Sequence, residues 1–116
     1  MPRLATGNLL DTPDAPNHGE RFTSLAELGG VTIESIVSSA TPDAGAYDQP
    51  HDEWVVLLAG NATIEVEGRA HVLRAGDWIL LPAHARHRVL ATSAGARWLA
   101  VHVGATTTPP TGSKRT

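Results

Sequence analysis

The sequence predicts an all-β domain, a closed barrel or a sandwich, and three observations carry that expectation. From Gly30 onward apolar and polar side chains follow a period of two, not the 3.6 of a helix. Turn-forming residues recur at short intervals: Gly29-Gly30, Gly60-Asn61, Gly68, Gly76-Asp77, Pro82 and Gly95. No long helical pattern lies between them, and many short strands with no helices need a second sheet, or the same sheet closed on itself, to cover their apolar faces.

Taken in order, Val31, Ile33, Ser35 and Val37 share one face of a strand, and Thr32, Glu34, Ile36 and Ser38 share the other. Glu34 reads as a carboxylate on a wet face. Trp54 to Leu58 is continuously apolar, as a strand covered on both faces would be. Ala62, Ile64 and Val66 alternate with Thr63, Glu65 and Glu67, the pattern of a half-buried strand. Gly60-Asn61 reads as a tight hairpin joining these two, and Glu67-Gly68-Arg69 as a further turn. Ala70 to Arg74, Trp78 to Leu81, His87 to Ala91 and Ala96 to Val103 complete the strands. Ser24 to Leu28 fits either one helical turn ended by Gly29-Gly30 or a first strand.

These elements divide the chain into an extended N-terminal segment (1–21), a barrel (22–104) and a C-terminal tail (105–116). The tail is threonine, proline, glycine, serine and terminal charge, has nothing to bury, and is expected to be disordered.

Composition narrows the function classes. With 116 residues, 41% hydrophobic and 18% charged, the chain holds one modest core and is neither a disordered chain nor a coiled coil. The longest apolar run, Trp54 to Ala59, is far short of the ~20 residues of a membrane helix. The start lacks a charged-then-apolar leader. Cysteine is absent, which removes disulfides, thiolate zinc sites, iron–sulfur clusters and a cysteine nucleophile. The net charge is −3 and the basic residues are scattered, unlike a nucleic-acid-binding stripe. The expectation is a cytoplasmic protein whose partner is a small molecule, with no nucleic acid and no membrane.

Two stretches could carry chemistry. In extended chain Tyr47, Gln49, His51 and Glu53 have one parity, so a phenol, an amide, an imidazole and a carboxylate can face one way, with Pro50 interrupting the pleat. The same stretch also reads as a polar strand end with Glu53 paired to an arginine. Further on, a turn at Gly76-Asp77, an apolar strand and Pro82-Ala83 lead to His84 and His87 at a strand-to-strand corner, where surface histidines are common. Of the six histidines, His18 and His71 read as solvent-facing. His102 shares a face with Trp98 and Ala100 and reads as core, surface or barrel lining.

Together the two stretches resemble the paired motifs of the cupin superfamily. The first, G-x5-H-x-H-x3,4-E-x6-G, is matched in its second half by Glu53, six intervening residues and Gly60. The second, G-x5-P-x-G-x2-H-x3-N, is matched by Gly76, Pro82 and His87. Tyr47 and Gln49 stand where the first motif has histidines, and His84 and Ala91 replace the glycine and asparagine of the second. The resemblance covers roughly Val31 to Val103 and is to small single-domain bacterial members. It implies a double-stranded β-helix, the cupin jelly-roll barrel, with a pocket at its mouth. It also implies a divalent metal ion (Fe, Mn, Ni or Zn) on Glu53 and His87, with Gln49 and His51 completing the set. Tyr47 would be a proton donor or orienting group, with His84 a second candidate at the rim.

The function so implied is that of a metal-dependent cupin acting on a small organic molecule, as an oxygenase, lyase or isomerase. The alternative, from the loss of both first-motif histidines, is a metal-free small-ligand-binding or sensing cupin without catalysis. A thin core and open sheet edges predict a homodimer, with Phe22 and Leu25 in the contact. Light scattering at micromolar concentration is expected to give a dimer, and a monomer would refute it.

Overall fold

The computed structural model describes residues 3–11 and 14–104, so the C-terminal tail, with its expected disorder, lies outside the described residues. Eight strands follow one another: β1 (Glu20–Leu28), β2 (Val31–Ser38), β3 (Asp52–Ala59), β4 (Asn61–Val66), β5 (Arg69–Arg74), β6 (Trp78–Leu81), β7 (His87–Thr92) and β8 (Arg97–Val103). Ser24 to Leu28 belongs to β1, and the strand begins at Glu20, two residues before the expected barrel start. Among the described residues no helix is long and apolar enough to cross a membrane.

The strands form two antiparallel sheets, one ordered β1-β2-β8-β3-β6 and the other β5-β4-β7. The double-stranded jelly roll expected from the motifs is this pair of facing sheets. The expected Gly60-Asn61 hairpin is corrected here, because β3 and β4 lie in different sheets and are not paired. Gly60 instead turns the chain across a corner at φ 89°, where a Cβ would lie 2.6 Å from Ser93 Oγ and 3.0 Å from Ala96. That approach leaves room for glycine only. The Glu67-Gly68 turn stands as expected: both residues have positive φ (49° and 80°), the twist a two-residue hairpin needs between β4 and β5.

Alternation decides what faces inward. Val55 and Leu57 of β3, Ala62 and Ile64 of β4, Leu73 of β5, Leu81 of β6 and Trp98 and Ala100 of β8 meet between the sheets with Ile36 and Ala96. Trp54 and Val56 stand on the outer side of β3 and are half-buried. There the Trp54 and Trp78 rings lie 6.0 Å apart, and Trp78 and Leu80 on the edge strand β6 are exposed. Phe22 is half-buried and packs against the core.

Leu57 is fully buried at the centre of this cluster. Leu57→Ala is expected to cost about 2–5 kcal/mol in denaturant unfolding, through lost transfer energy and the cavity left behind. A loss below about 1 kcal/mol would mean that the centre of the core can collapse around the gap.

Candidate functional site

One end of the space between the sheets stays open as a small pocket with a cavity volume of about 50 Å³. Its apolar wall includes Phe22, Ile36, Val55, Ile64, Val89 and Trp98, and its polar wall is Glu20, Glu34, Tyr47, Gln49, Glu53 and His87. Strand register puts the acids there. Glu53 on β3 lies opposite His102 on β8, and Thr32, two residues before Glu34 on β2, lies opposite the same histidine. Residues two apart share a face, so Glu34, His102 and Glu53 all point inward.

Glu34 is therefore not on a wet face. It is 2% exposed, and its Oε1 lies 3.2 Å from Nε2 of His102, itself 2% exposed. The other nitrogen of His102 lies 3.0 Å from Nε2 of the half-buried His51. A carboxylate accepts, so Nε2 of His102 carries the proton in that contact, and its Nδ1 is shared with His51. Sequence alternation left both faces of β2 open to the interior, since Ser35 and Val37 on the opposite face are buried as well. The parity of His102 with Trp98 was the available signal for its position, but its partners could not be read from β8 alone.

The segment before β3 is held by backbone pairing. Tyr47 bridges His87, and the His84 amide donates to the Gln49 carbonyl at 2.7 Å. The Ala83 amide donates to Asp52 Oδ1 at 2.8 Å. This places Tyr47, Gln49 and Glu53 on the pocket wall, each buried, while His51 leaves that set for His102. The Tyr47 and His87 rings stack at 5.5 Å and 24°. His84 stands outside, exposed at φ 66°, with Nδ1 2.8 Å from Asp48 Oδ1. His71 is exposed on β5.

His87 has a defined orientation. Its Nδ1 lies 2.9 Å from the Ala85 carbonyl, which can only accept, so Nδ1 carries the proton of the neutral ring. Nε2 then holds a lone pair and lies 3.9 Å from Glu53 Oε1. That carboxylate oxygen receives the Gln49 amide N–H at 2.7 Å. Gln49 Oε1 is buried and has no hydrogen-bond partner.

A metal centre needs several lone pairs converging on one point about 2.0–2.2 Å away. Here Gln49 turns its N–H₂, not its oxygen, toward Glu53, and both nitrogens of His102 are engaged. His51 points to His102 as well, while His87 Nε2 and His102 Nδ1 each lie 3.9 Å from Glu53 Oε1. Among the described residues no group of three or more His, Asp or Glu side chains is arranged to hold a metal ion. The donor set does not fit the ion that the motifs imply.

Glu20 sits half-buried at the same pocket and accepts the Ser38 hydroxyl at 2.7 Å, while Ser38 Oγ accepts the Trp98 indole N–H at 3.0 Å. Burial pushes the Glu20 carboxyl above its ordinary value of 4.5. The Ser38 hydrogen bond opposes this, and the carboxylates of Asp43, Glu53 and Glu34 add to the rise.

The Cupin domain family matches residues 39–102, and the chain belongs to that family. A structure from Ralstonia eutropha JMP134, provisionally named a mannose-6-phosphate isomerase, is 42% identical, with 88% of this chain and 100% of that chain covered and a TM-score of 0.78. An RmlC-like cupin from Shewanella frigidimarina is 18% identical over 92% of this chain and 95% of its own, with a TM-score of 0.74. An RmlC-like cupin from Desulfovibrio desulfuricans is 16% identical over 88% and 98%, with a TM-score of 0.75. The last two show the fold alone. No curated protein matches the chain at a significant level.

The Glu20 shift has a testable sign. A carboxyl whose folded-state value lies above its unfolded value of 4.5 holds its proton more tightly when folded. Stability is then fullest below 4.5 and falls as pH rises through the folded value. Glu20→Gln keeps an acceptor for Ser38 and removes the charge. It is expected to be more stable than the parent at about pH 7 and nearly equal at about pH 4, by denaturant unfolding at both. A variant less stable than the parent at neutral pH would show that the ionised carboxylate is net favourable.

Proposed function

We propose that this cupin takes a small organic molecule into the interior pocket and moves a proton on it, with His87 as the base and no resident metal ion. The observation that supports this most directly is the His87 ring, held by Ala85 so that its basic nitrogen faces the pocket beside Glu53. Glu53 opposite that nitrogen stabilises the imidazolium formed when the ring takes a proton. Tyr47, stacked on His87, places a phenol on the same wall, where it can donate to an oxygen on which charge develops.

The chemistry matched to these groups is isomerisation next to a carbonyl. His87 removes the proton from the hydroxyl-bearing carbon, whose C–H pair becomes the C=C bond of an enediol as the carbonyl π pair moves onto oxygen and takes a proton from Tyr47. The hydroxyl proton then passes to Tyr47 as the new carbonyl forms, and His87 returns its proton to the former carbonyl carbon. No electrons leave the substrate, so no oxidant is needed. The name of the Ralstonia protein supports an isomerase reading of this kind. Among the described residues the pocket wall carries no lysine or arginine to meet a phosphate, so we read the substrate as unphosphorylated.

Chelator-treated protein in D₂O is expected to exchange the α-proton of at least one member of a panel of unphosphorylated aldoses, ketoses and short α-hydroxy ketones, followed by proton NMR. His87→Ala should slow that exchange by about 100-fold or more while keeping the β circular-dichroism spectrum. Exchange that appears only after a divalent metal is added would overturn the metal-free reading. Binding without exchange would leave a non-catalytic binder.

A further inference from the structure

We infer that the interior pocket selects a small molecule carrying a protonated amine on a short apolar body. This rests on the reading that the pocket is where the ligand binds, and it adds the chemical class of that ligand.

Donors and acceptors on the pocket wall do not balance. The donors are largely committed within the protein: Trp98 Nε1 to Ser38, the Ser38 hydroxyl to Glu20, the Gln49 amide to Glu53 and His87 Nδ1 to Ala85. The acceptors are in surplus. Three carboxylates, Glu20, Glu34 and Glu53, line the space, and each can accept about four hydrogen bonds. Gln49 lines it too, is 3% exposed, and leaves its Oε1 without a partner. A buried carbonyl oxygen in that state costs about 1–3 kcal/mol unless something donates to it. Beside the Tyr47 phenol the wall is richer in acceptors than in donors, and a primary ammonium brings three donors.

Charge points the same way. Glu34 has His102 beside it and Glu53 has His87 and His102 at 3.9 Å, and among the described residues no lysine or arginine lines the pocket to offset the three carboxylates. A bound cation relieves their mutual repulsion, whereas a carboxylate or phosphate adds to it. Burial is the main reason the Glu20 carboxyl lies above its ordinary value, and the neighbouring carboxylates Asp43, Glu53 and Glu34 add to the rise. Arrangements that cost stability are common where a ligand is to be received. The remaining wall, Phe22, Ile36, Val55, Ile64 and Val89, is apolar and suits a short hydrocarbon portion. A metal ion would also meet the charge, but the donors do not converge on one point.

The test uses the full chain, chelator-treated, with three probes of one length: butylammonium, 1-butanol and butyrate. Methyl NMR signals of Ile36, Ile64 and Val89 locate binding in the pocket, with Val72 on the exposed face of β5 as the reference. Butylammonium is expected to shift the pocket methyls with at least about tenfold higher affinity than butanol, and butyrate not to shift them. Added salt should weaken the ammonium alone. Glu20→Gln should weaken ammonium binding by about fivefold or more and leave butanol unchanged. Equal affinity for ammonium and alcohol, preference for butyrate, or ammonium shifts confined to the reference methyl would overturn the inference. So would the absence of pocket shifts with every probe. The proton-exchange measurement decides the function independently: pocket binding by butanol with no preference for ammonium defeats the ligand class and leaves His87 chemistry standing.

Discussion

The register of β2, β8 and β3 is the constraint on which the site depends. His102 lies opposite Glu53 on one side and Thr32 on the other, so the pleat turns Glu34, His102 and Glu53 to the same interior face. A slip of one residue in either pairing would send a carboxylate outward and bring its neighbour into the pocket. The slip would also move Val55, Leu57, Trp98 and Ala100 out of the core that surrounds them. Core packing and site geometry are thus set by one register, and the apolar residues hold the polar ones in place.

Inside that frame the polar groups stabilise one another in pairs. Glu34 and His102, both almost fully buried, compensate each other's desolvation, and Gln49 does the same for one oxygen of Glu53. These pairings also explain why the expected metal ligands do not converge. Gln49 turns its N–H₂ to Glu53, and His51 and His102 turn a nitrogen toward each other. Tyr47 and Gln49, at the motif positions of histidines, put a phenol and an amide on a wall whose negative charge comes from Glu20, Glu34 and Glu53.

The loop from Pro82 to Arg86 connects these features to the rim. The backbone of His84 and Ala83 ties it to Gln49 and Asp52, so the residues before β3 are positioned although they form no regular strand. The His84 ring closes on Asp48 outside the pocket. His84 therefore acts on the site through its main chain, by holding the Gln49 carbonyl.

The sequence by itself determined the strands, most of their turns and the motif-bearing segments. Alternation and glycine placement are local, and they act on each strand before it meets a partner. Ala62, Ile64 and Val66 declared their inward face because the opposite face is polar, and Glu53 and His87 were legible through motif spacing. The tertiary structure decided the rest. Only pairing shows that β3 and β4 part into different sheets, and that β2 is buried on both faces, which turns Glu34 from a solvent carboxylate into a partner of His102. The separation of His51 from Gln49 had the same origin. Parity along an extended chain places both on one face, but the chain between them bends at Pro50, and a local contact with Glu53 sets the direction of Gln49 while a long-range one with His102 sets that of His51. The His51–His102 and Glu34–His102 contacts join residues 51 and 68 positions apart, and no local pattern carries that information.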